Sequence, residues 1–90
     1  MRILSSPKRI TAENDFSDER MRKIFAERLR DLRAELKFTQ GDIADMLHVP
    51  VSTYANWEQG RREPGIGDIF RLLYVLDITA DELFAPEAEM

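Results

Sequence analysis

Residues 39–60, TQGDIADMLHVPVSTYANWEQG, decide the fold of this chain. The stretch predicts two short helices, over about residues 40–47 and 51–59, joined by a tight turn at His48-Val49-Pro50. Proline suits that turn because its fixed φ fits at or just before the first residue of a new helix. Helices this short do not persist alone, so packing against the rest of the chain must hold them in place.

The side chains of this stretch divide into an inner and an outer set. Tyr54 and Trp57 point the same way on the second helix, and we expect them in the core. Thr39 can cap the first helix with Asp42 as its partner in a weak capping box, and Gly60 can end the second helix. The other edge of the second helix is polar and exposed, which suits entry into a DNA major groove.

Three further helices are predicted around this stretch, so the fold class is all-α. The first covers about residues 19–36, with Asp18 and Glu19 suited to its start. Its apolar residues recur at helical spacing and define one buried face: Met21, Phe25, Leu29, Leu32 and Leu36. The fourth predicted helix carries the same pattern at Ile66, Ile69, Leu73 and Leu76. Thr79 can cap a short fifth helix that ends in Leu83-Phe84.

The two ends of the chain lack a helical period. Residues 1–18 predict an N-terminal arm, and residues 85–90, APEAEM, predict an acidic tail. The domain proper is therefore predicted over residues 19–84. Two interpretations of the arm are open: a flexible tail, or a segment that follows the DNA backbone through Arg2, Lys8 and Arg9. Short strands at RILSS and RIT would need a pairing partner.

Composition excludes several classes of protein. Ninety residues make one domain with a modest core. The chain has no cysteine and a single histidine, His48, which excludes a disulfide framework, Cys-ligated zinc and multi-histidine metal sites. No apolar run is long enough to span a bilayer, and the N-terminus is a poor signal peptide. We expect a soluble cytoplasmic protein that is not an enzyme and has no metal, cofactor or attached ligand-sensing domain.

The charge is acidic overall but unevenly distributed. The net charge is −4, which by itself does not suggest a nucleic-acid partner. Residues 1–37 carry ten basic and seven acidic side chains, whereas residues 38–60 carry no Lys or Arg and three acids. A modest basic face can coexist with an acidic total, because DNA responds to the local potential. The acidity should still limit non-specific affinity.

Four segments, in their order and separation, resemble the lambda-repressor-like helix-turn-helix domains of the XRE or Cro/cI type. The segments are FAERLRDLR (25–33), TQGDIADML (39–47), STYANWEQGRREP (52–64) and LDITADELF (76–84). The resemblance covers residues 25–84. It implies a five-helix domain that binds double-stranded DNA, usually as a homodimer on an inverted repeat, and hence a transcriptional regulator, most simply a repressor.

The resemblance also implies residues that contact the DNA backbone and residues that support the fold. Gln40 matches a glutamine that contacts a backbone phosphate, and Arg61 and Arg62 match a loop that touches phosphate. Arg33 and Glu58 match a charged pair that joins the first helix to the third. Such a pair orients the third helix without necessarily adding net stability.

The positions that contact bases in the resembling domains correspond to Val51, Ser52, Ala55 and Asn56. Asn56 can form two hydrogen bonds with adenine, Ser52 can serve either base of a pair, and Val51 can pack on a thymine methyl. Many members of the family have Arg or Gln where this chain has Val51. Because arginine commonly contacts guanine, we expect A·T pairs to matter more than guanine here.

Three further positions depart from the family pattern. Lys37 and His48 stand where glycine is frequent, at helix ends that need a positive φ. A residue with a side chain pays about 1–2 kcal/mol there. Pro50 replaces a frequent Ser or Thr, which removes a side-chain acceptor from the start of the third helix.

Phe70 and Tyr74 lie four residues apart on one face of the predicted fourth helix. They can pack beneath the arm or against the fifth helix, or they can form a homodimer or partner surface. The latter motivates an alternative function: a protein–protein adaptor, or the antitoxin of a toxin–antitoxin pair, which keeps the fold but binds DNA weakly. The acidic total and the lack of basic side chains in residues 38–60 favour that alternative.

Overall fold

The computed structural model describes residues 6–84, and within that range the chain forms five α-helices and no strand. The helices are α1 (Asp18–Leu36), α2 (Gln40–Leu47), α3 (Val51–Glu58), α4 (Ile66–Leu76) and α5 (Ala80–Phe84). The predicted all-α, five-helix architecture is therefore confirmed. Residues 6–17 precede α1 as an exposed segment. Arg2 and the predicted acidic tail lie outside the described residues.

One compact core joins the five helices. Tyr54 and Trp57 lie at its centre, as predicted, with their rings edge to face and their centroids 5.8 Å apart. Burial of such large side chains supplies most of the stability that the short α2 and α3 lack on their own. The buried members of this core are Leu29, Leu32, Ile43, Ala44, Leu47, Tyr54, Trp57, Leu72, Leu76 and Leu83.

Side-chain caps define where α1 and α2 begin. The Oγ1 of Thr39 accepts from the N–H of Asp42 at 3.0 Å, and the Asp42 carboxylate accepts from the N–H of Thr39 at 2.9 Å. The predicted capping box is therefore complete. Ser17 caps α1, since its Oγ accepts from the N–H of Arg20, whereas Asp18 and Glu19, expected at the start of the helix, lie in its first turn. Pro50 makes no side-chain cap to α3.

Left-handed residues end three of the helices, and none of them is glycine. Lys37 has φ 62°, His48 has φ 59° and Asp77 has φ 54°. The positive φ at Lys37 and His48 was expected, whereas Asp77 was not foreseen. Aspartate tolerates this conformation better than most residues because its short side chain can hydrogen-bond locally. Gly60, with φ 72°, follows α3.

The buried face of α4 differs from the predicted one. Leu72 is completely buried although it was left out of the predicted face, whereas Ile66 is 77% exposed. Ile69 and Leu73 are only partly buried. Apolar residues occupy most of α4, so their spacing permits more than one inner face, and Ile66 lies at the exposed first position of the helix. None of the helices in residues 6–84 is long and apolar enough to cross a membrane.

The positive φ of Lys37, the residue that ends α1, can be tested by substitution. Lys37→Gly should raise the free energy of unfolding by about 0.5–1 kcal/mol, because glycine adopts φ 62° without the steric cost that lysine pays. The measurement is urea unfolding at neutral pH. Glu27→Gly is the matched control, since Glu27 is an exposed residue inside α1, and it should lower the same free energy by about 1 kcal/mol. Equal losses in both variants would contradict the assigned end of α1.

Candidate nucleic-acid interface

The outer edge of α3 carries the residues predicted to contact bases. Val51 is half exposed, Ser52 is exposed, and Ala55 and Asn56 are partly exposed. These positions follow one another at helical spacing, opposite the buried Tyr54 and Trp57. The structure therefore brings the four predicted residues onto one accessible side of the helix.

Gln59 extends this edge and was not among the predicted contact residues. It follows α3 directly as its C-terminal cap and is exposed, one helical turn beyond Ala55. The prediction had placed it inside the helix, one residue beyond the observed end at Glu58. Its spacing from Ala55 was the sequence signal that could have added it to the set.

A buried carboxylate fixes the other end of α3. The Nε of Arg33 donates to Oε2 of Glu58 at 2.6 Å, and its Nη2 donates to Oε1 at 3.0 Å. Glu58 is only 1% exposed, so this two-point ion pair is largely shielded from water. The same guanidinium donates to the carbonyl of Phe38 at 3.0 Å. Arg33 thus ties α1, the connection to α2 and the end of α3 together.

Two contacts to Glu58, one to its carboxylate and one to its backbone carbonyl, were not predicted from the sequence. The Nε2 of Gln40, the first residue of α2, donates to Oε1 of Glu58 at 2.9 Å. The guanidinium of Arg30 donates to the backbone carbonyl of Glu58. Gln40 was predicted to face phosphate, and the structure shows that one hydrogen of its amide is already used inside the protein. The second amide hydrogen remains for an outside acceptor.

The electrostatics of this cluster keep Glu58 ionised. Burial by itself raises the pKa of Glu58, but the hydrogen bonds from Arg33 and Gln40 outweigh it and hold the pKa below its ordinary value. The hydrogen bond to Glu58 raises the pKa of Arg33 in turn. Burial and the nearby Glu58 raise the pKa of the Tyr54 hydroxyl. The hydroxyl oxygen itself has no hydrogen-bond partner among the described residues.

The loop after α3 presents the predicted basic pair. Arg61 and Arg62 are exposed, and their backbone N–H groups both donate to the carbonyl of Asn56, at 3.0 and 3.4 Å. This arrangement holds the loop close to the outer edge of α3. Among residues 6–84, neither guanidinium takes part in an ion pair. Both charges are therefore available to an anionic partner.

Gly60 brings this loop against α1. A Cβ at Gly60 would lie 3.7 Å from the backbone of Arg22 and from that of Lys23. Arg22 and Lys23 of α1 therefore lie beside the loop, but the ammonium group of Lys23 is paired with the carboxylate of Glu19 at 3.5 Å. Arg22 is partly neutralised, because its guanidinium lies 3.4 Å from the carboxylate of Glu63.

The aromatic pair on α4 lies on the surface. Phe70 is 65% and Tyr74 is 87% exposed, so neither residues 6–17 nor α5 buries them. Ile66 precedes them by one turn, and the three form an exposed apolar stripe at steps of four residues. Beside the stripe, Phe70 and Tyr74 line a shallow cavity of about 350 Å³ together with Met46 and His48.

Comparison with known proteins places this geometry in a family. Residues 29–83 match the family model HTH_3, described as helix-turn-helix. The chain is 32% identical over 65 residues to the uncharacterized HTH-type transcriptional regulator YqaE of Bacillus subtilis strain 168, covering 72% of this chain and 56% of YqaE. It is 35% identical over 63 residues to the HTH-type transcriptional regulator AnsR of the same organism, covering 70% of this chain and 54% of AnsR. The chain thus spans about half the length of these curated relatives.

A solved structure gives the same result for the fold. The restriction-modification controller protein C.AhdI from Aeromonas hydrophila superimposes with a TM-score of 0.66 at 32% identity. The match covers 70% of this chain and 96% of C.AhdI. The fold of the matched part of this chain is therefore shared with almost all of C.AhdI.

The ion pair at the end of α3 predicts a large loss of stability when its cation is removed. Arg33→Met should lower the free energy of unfolding at neutral pH by about 3–5 kcal/mol, because it leaves the buried Glu58 carboxylate without its cation. Urea unfolding measures the loss. Arg71→Met is the control, because its pair with Asp68 lies at the surface and should be worth less than about 1 kcal/mol.

The same pair makes the loss depend on pH. A carboxylate whose folded pKa is depressed contributes stability above its ordinary value of 4.5 and loses that contribution as the pH falls through the folded pKa. The difference between wild type and Arg33→Met should therefore shrink as the pH is lowered below 4.5. A difference that stays constant through this range would show that Glu58 is not the group left uncompensated.

Proposed function

The chain belongs to the HTH_3 helix-turn-helix family, and from this premise we propose that it is a transcriptional regulator that binds double-stranded DNA sequence-specifically. The observation that supports this function best is the outer edge of α3. This edge is accessible, includes the polar side chains of Ser52 and Asn56, and is held in place by the core and by the Arg33–Glu58 pair. An α-helix with this exposure fits the width of a B-DNA major groove. The names of YqaE and AnsR as transcriptional regulators support the proposal.

Base contacts come from the exposed edge of α3. Asn56 donates to and accepts from adenine, and Ser52 bonds to a neighbouring base edge. Val51 and Ala55 offer apolar surface to thymine methyl groups. No arginine lies on α3, so the preferred half-site is dominated by A·T pairs under this helix.

Phosphate contacts flank that edge on both sides. Gln40 lies at the N-terminus of α2, where backbone N–H groups and the helix dipole also favour an anion. Arg61 and Arg62 contact the backbone from the loop after α3. These contacts set the register of α3 on the duplex and make the affinity fall steeply with salt.

A second copy of the chain completes the binding unit. We place the homodimer contact on the apolar stripe of Phe70 and Tyr74, because two large exposed aromatic side chains on one helix face are costly to leave in water. Such a dimer addresses two half-sites about one helical turn, or 34 Å, apart on an inverted repeat. Binding there would block transcription, which makes the protein a repressor.

One observation favours a second candidate function. The exposed stripe on α4, together with the absence of Lys and Arg from residues 38–60, also suits a protein–protein adaptor or an antitoxin that binds a partner protein and has weak affinity for DNA. The two functions differ in their salt response. Only the DNA-binding function imposes a steep dependence of DNA affinity on salt.

Asn56 gives the test of base contact. Asn56→Ala should reduce the preference for adenine at one position of each half-site by about 1–3 kcal/mol, because both hydrogen bonds to that base are lost. Affinities for the four single-base variants of the half-site measure this preference. Asn14→Ala is the control, since Asn14 is the chain's other asparagine and lies in the segment before α1, and it should leave the preference unchanged. An Asn56→Ala variant with undiminished preference at every position would refute this role.

The aromatic stripe gives the test of self-association. Phe70→Glu combined with Tyr74→Glu should convert a dimer at micromolar concentration into a folded monomer, because two charges on each copy would meet across the contact. Sedimentation equilibrium measures the mass. Ile10→Glu combined with Phe16→Glu adds the same charge at two other exposed apolar positions and should leave the dimer intact. A folded dimer in the first variant would place the contact elsewhere.

A further inference from the structure

The amide of Gln40 bridges the beginning of α2 and the end of α3. Its Nε2 donates to Oε1 of Glu58 at 2.9 Å. Gln40 is partly exposed, whereas Glu58 is almost completely buried. The Gln40 amide therefore contacts the buried Glu58 carboxylate on one side and is accessible from the surface on the other.

An ionised carboxylate dictates which way that amide faces. A carboxylate only accepts hydrogen bonds, so the nitrogen of the amide, and not its oxygen, must point to Glu58. The nitrogen carries two hydrogens, and Glu58 uses one of them. A phosphate oxygen is likewise an acceptor, and it needs the second hydrogen. The orientation that Glu58 imposes is thus the one that leaves a donor for phosphate.

The carboxylate itself cannot rotate freely. Arg33 occupies both of its oxygens, at 2.6 and 3.0 Å. The guanidinium is held in turn by the carbonyl of Phe38, two residues before Gln40. Glu58, Arg33, Phe38 and Gln40 therefore close a ring of contacts around the start of α2. Within this ring, Glu58 is the acceptor that Arg33 and Gln40 share.

We propose that Glu58 is a positioning residue, whose carboxylate holds the Gln40 amide ready to donate to a DNA phosphate. This inference rests on the proposed DNA-binding function and assigns Glu58 a role beyond its ion pair with Arg33. Fixing the amide before binding reduces the conformational entropy that the phosphate contact would otherwise cost. Loss of the carboxylate should therefore weaken DNA binding through Gln40 and not only through the fold.

A double-mutant cycle on DNA affinity separates positioning from a structural role. Gln40→Ala and Glu58→Gln should each lower the affinity about three- to tenfold, the range expected for one hydrogen bond. If Glu58 acts through Gln40, adding Glu58→Gln to Gln40→Ala costs much less than it does in the wild type. If the two losses multiply, Glu58 acts only on the fold and the inference is overturned. A wild-type protein that binds no DNA sequence specifically would overturn the proposed function, and this inference with it.

A second measurement is made on the free protein, and its deciding comparison is within the wild type, so it does not depend on whether a variant folds. The chain has two glutamines, and the exposed Gln59 serves as the internal reference for Gln40. In NMR spectra at neutral pH, the side-chain amide hydrogens of Gln40 should exchange with water more slowly than those of Gln59. In Glu58→Gln, the exchange rate of Gln40 should approach that of Gln59. Equal rates for the two glutamines in the wild type would show that the amide is not held, whatever the DNA affinity.

Discussion

The arrangement of α1, α2 and α3 depends on the hydrogen bonds to the buried carboxylate of Glu58. Glu58 is the last residue of α3, and its carboxylate accepts from Arg33 on α1 and from Gln40 on α2. Taking a carboxylate out of water is costly unless its oxygens are satisfied, so the three helices must meet in one relative orientation for the charge to be tolerated. The pair with Arg33 therefore specifies geometry more than it adds net stability.

The packing of α3 complements this polar anchor. The inner face of α3 is filled by Tyr54 and Trp57, while the outer edge stays accessible. A helix this short would not hold its shape alone, so aromatic burial on one side and the Glu58 contacts at its end keep the outer edge rigid. Rigidity matters for a surface that must match base edges. A mobile helix would have to become ordered each time it binds DNA, and the conformational entropy lost in that step would lower the affinity.

Much of the fold could be predicted from the sequence, because local signals agreed with one another. The Thr39–Asp42 box, the turn at Pro50 and the aromatic inner face of α3 all depend on neighbouring residues, and each is present in the structure. The inner face of α4 could not be predicted in the same way, since apolar residues on nearly every side leave the packing partner to decide. For that reason Ile66, which was expected on the inner face, is exposed, and Leu72, which was not included in that face, is buried.

The exposed residues of the candidate site could be predicted from the sequence, but the hydrogen bonds between its residues could not. Gln40, Arg61 and Arg62 were selected one by one by position in the resembling domains. The hydrogen bond between Gln40 and Glu58 joins residues 18 positions apart, and no local periodicity indicates such a contact. Gln59 was left out of the predicted set although its spacing of four residues from Ala55 indicated the same edge of α3. The roles of these residues on DNA stay predictions.

The most direct measurement for the central claim is selection from a random double-stranded DNA library at about 0.1 M salt, where phosphate contacts alone give only weak binding. We expect an enriched inverted repeat with A·T-rich half-sites whose centres lie about one helical turn apart. The spacing of the repeat would report the geometry of the dimer. If the folded protein enriches no sequence, it is not a sequence-specific DNA-binding regulator, and the adaptor function of the same fold is supported.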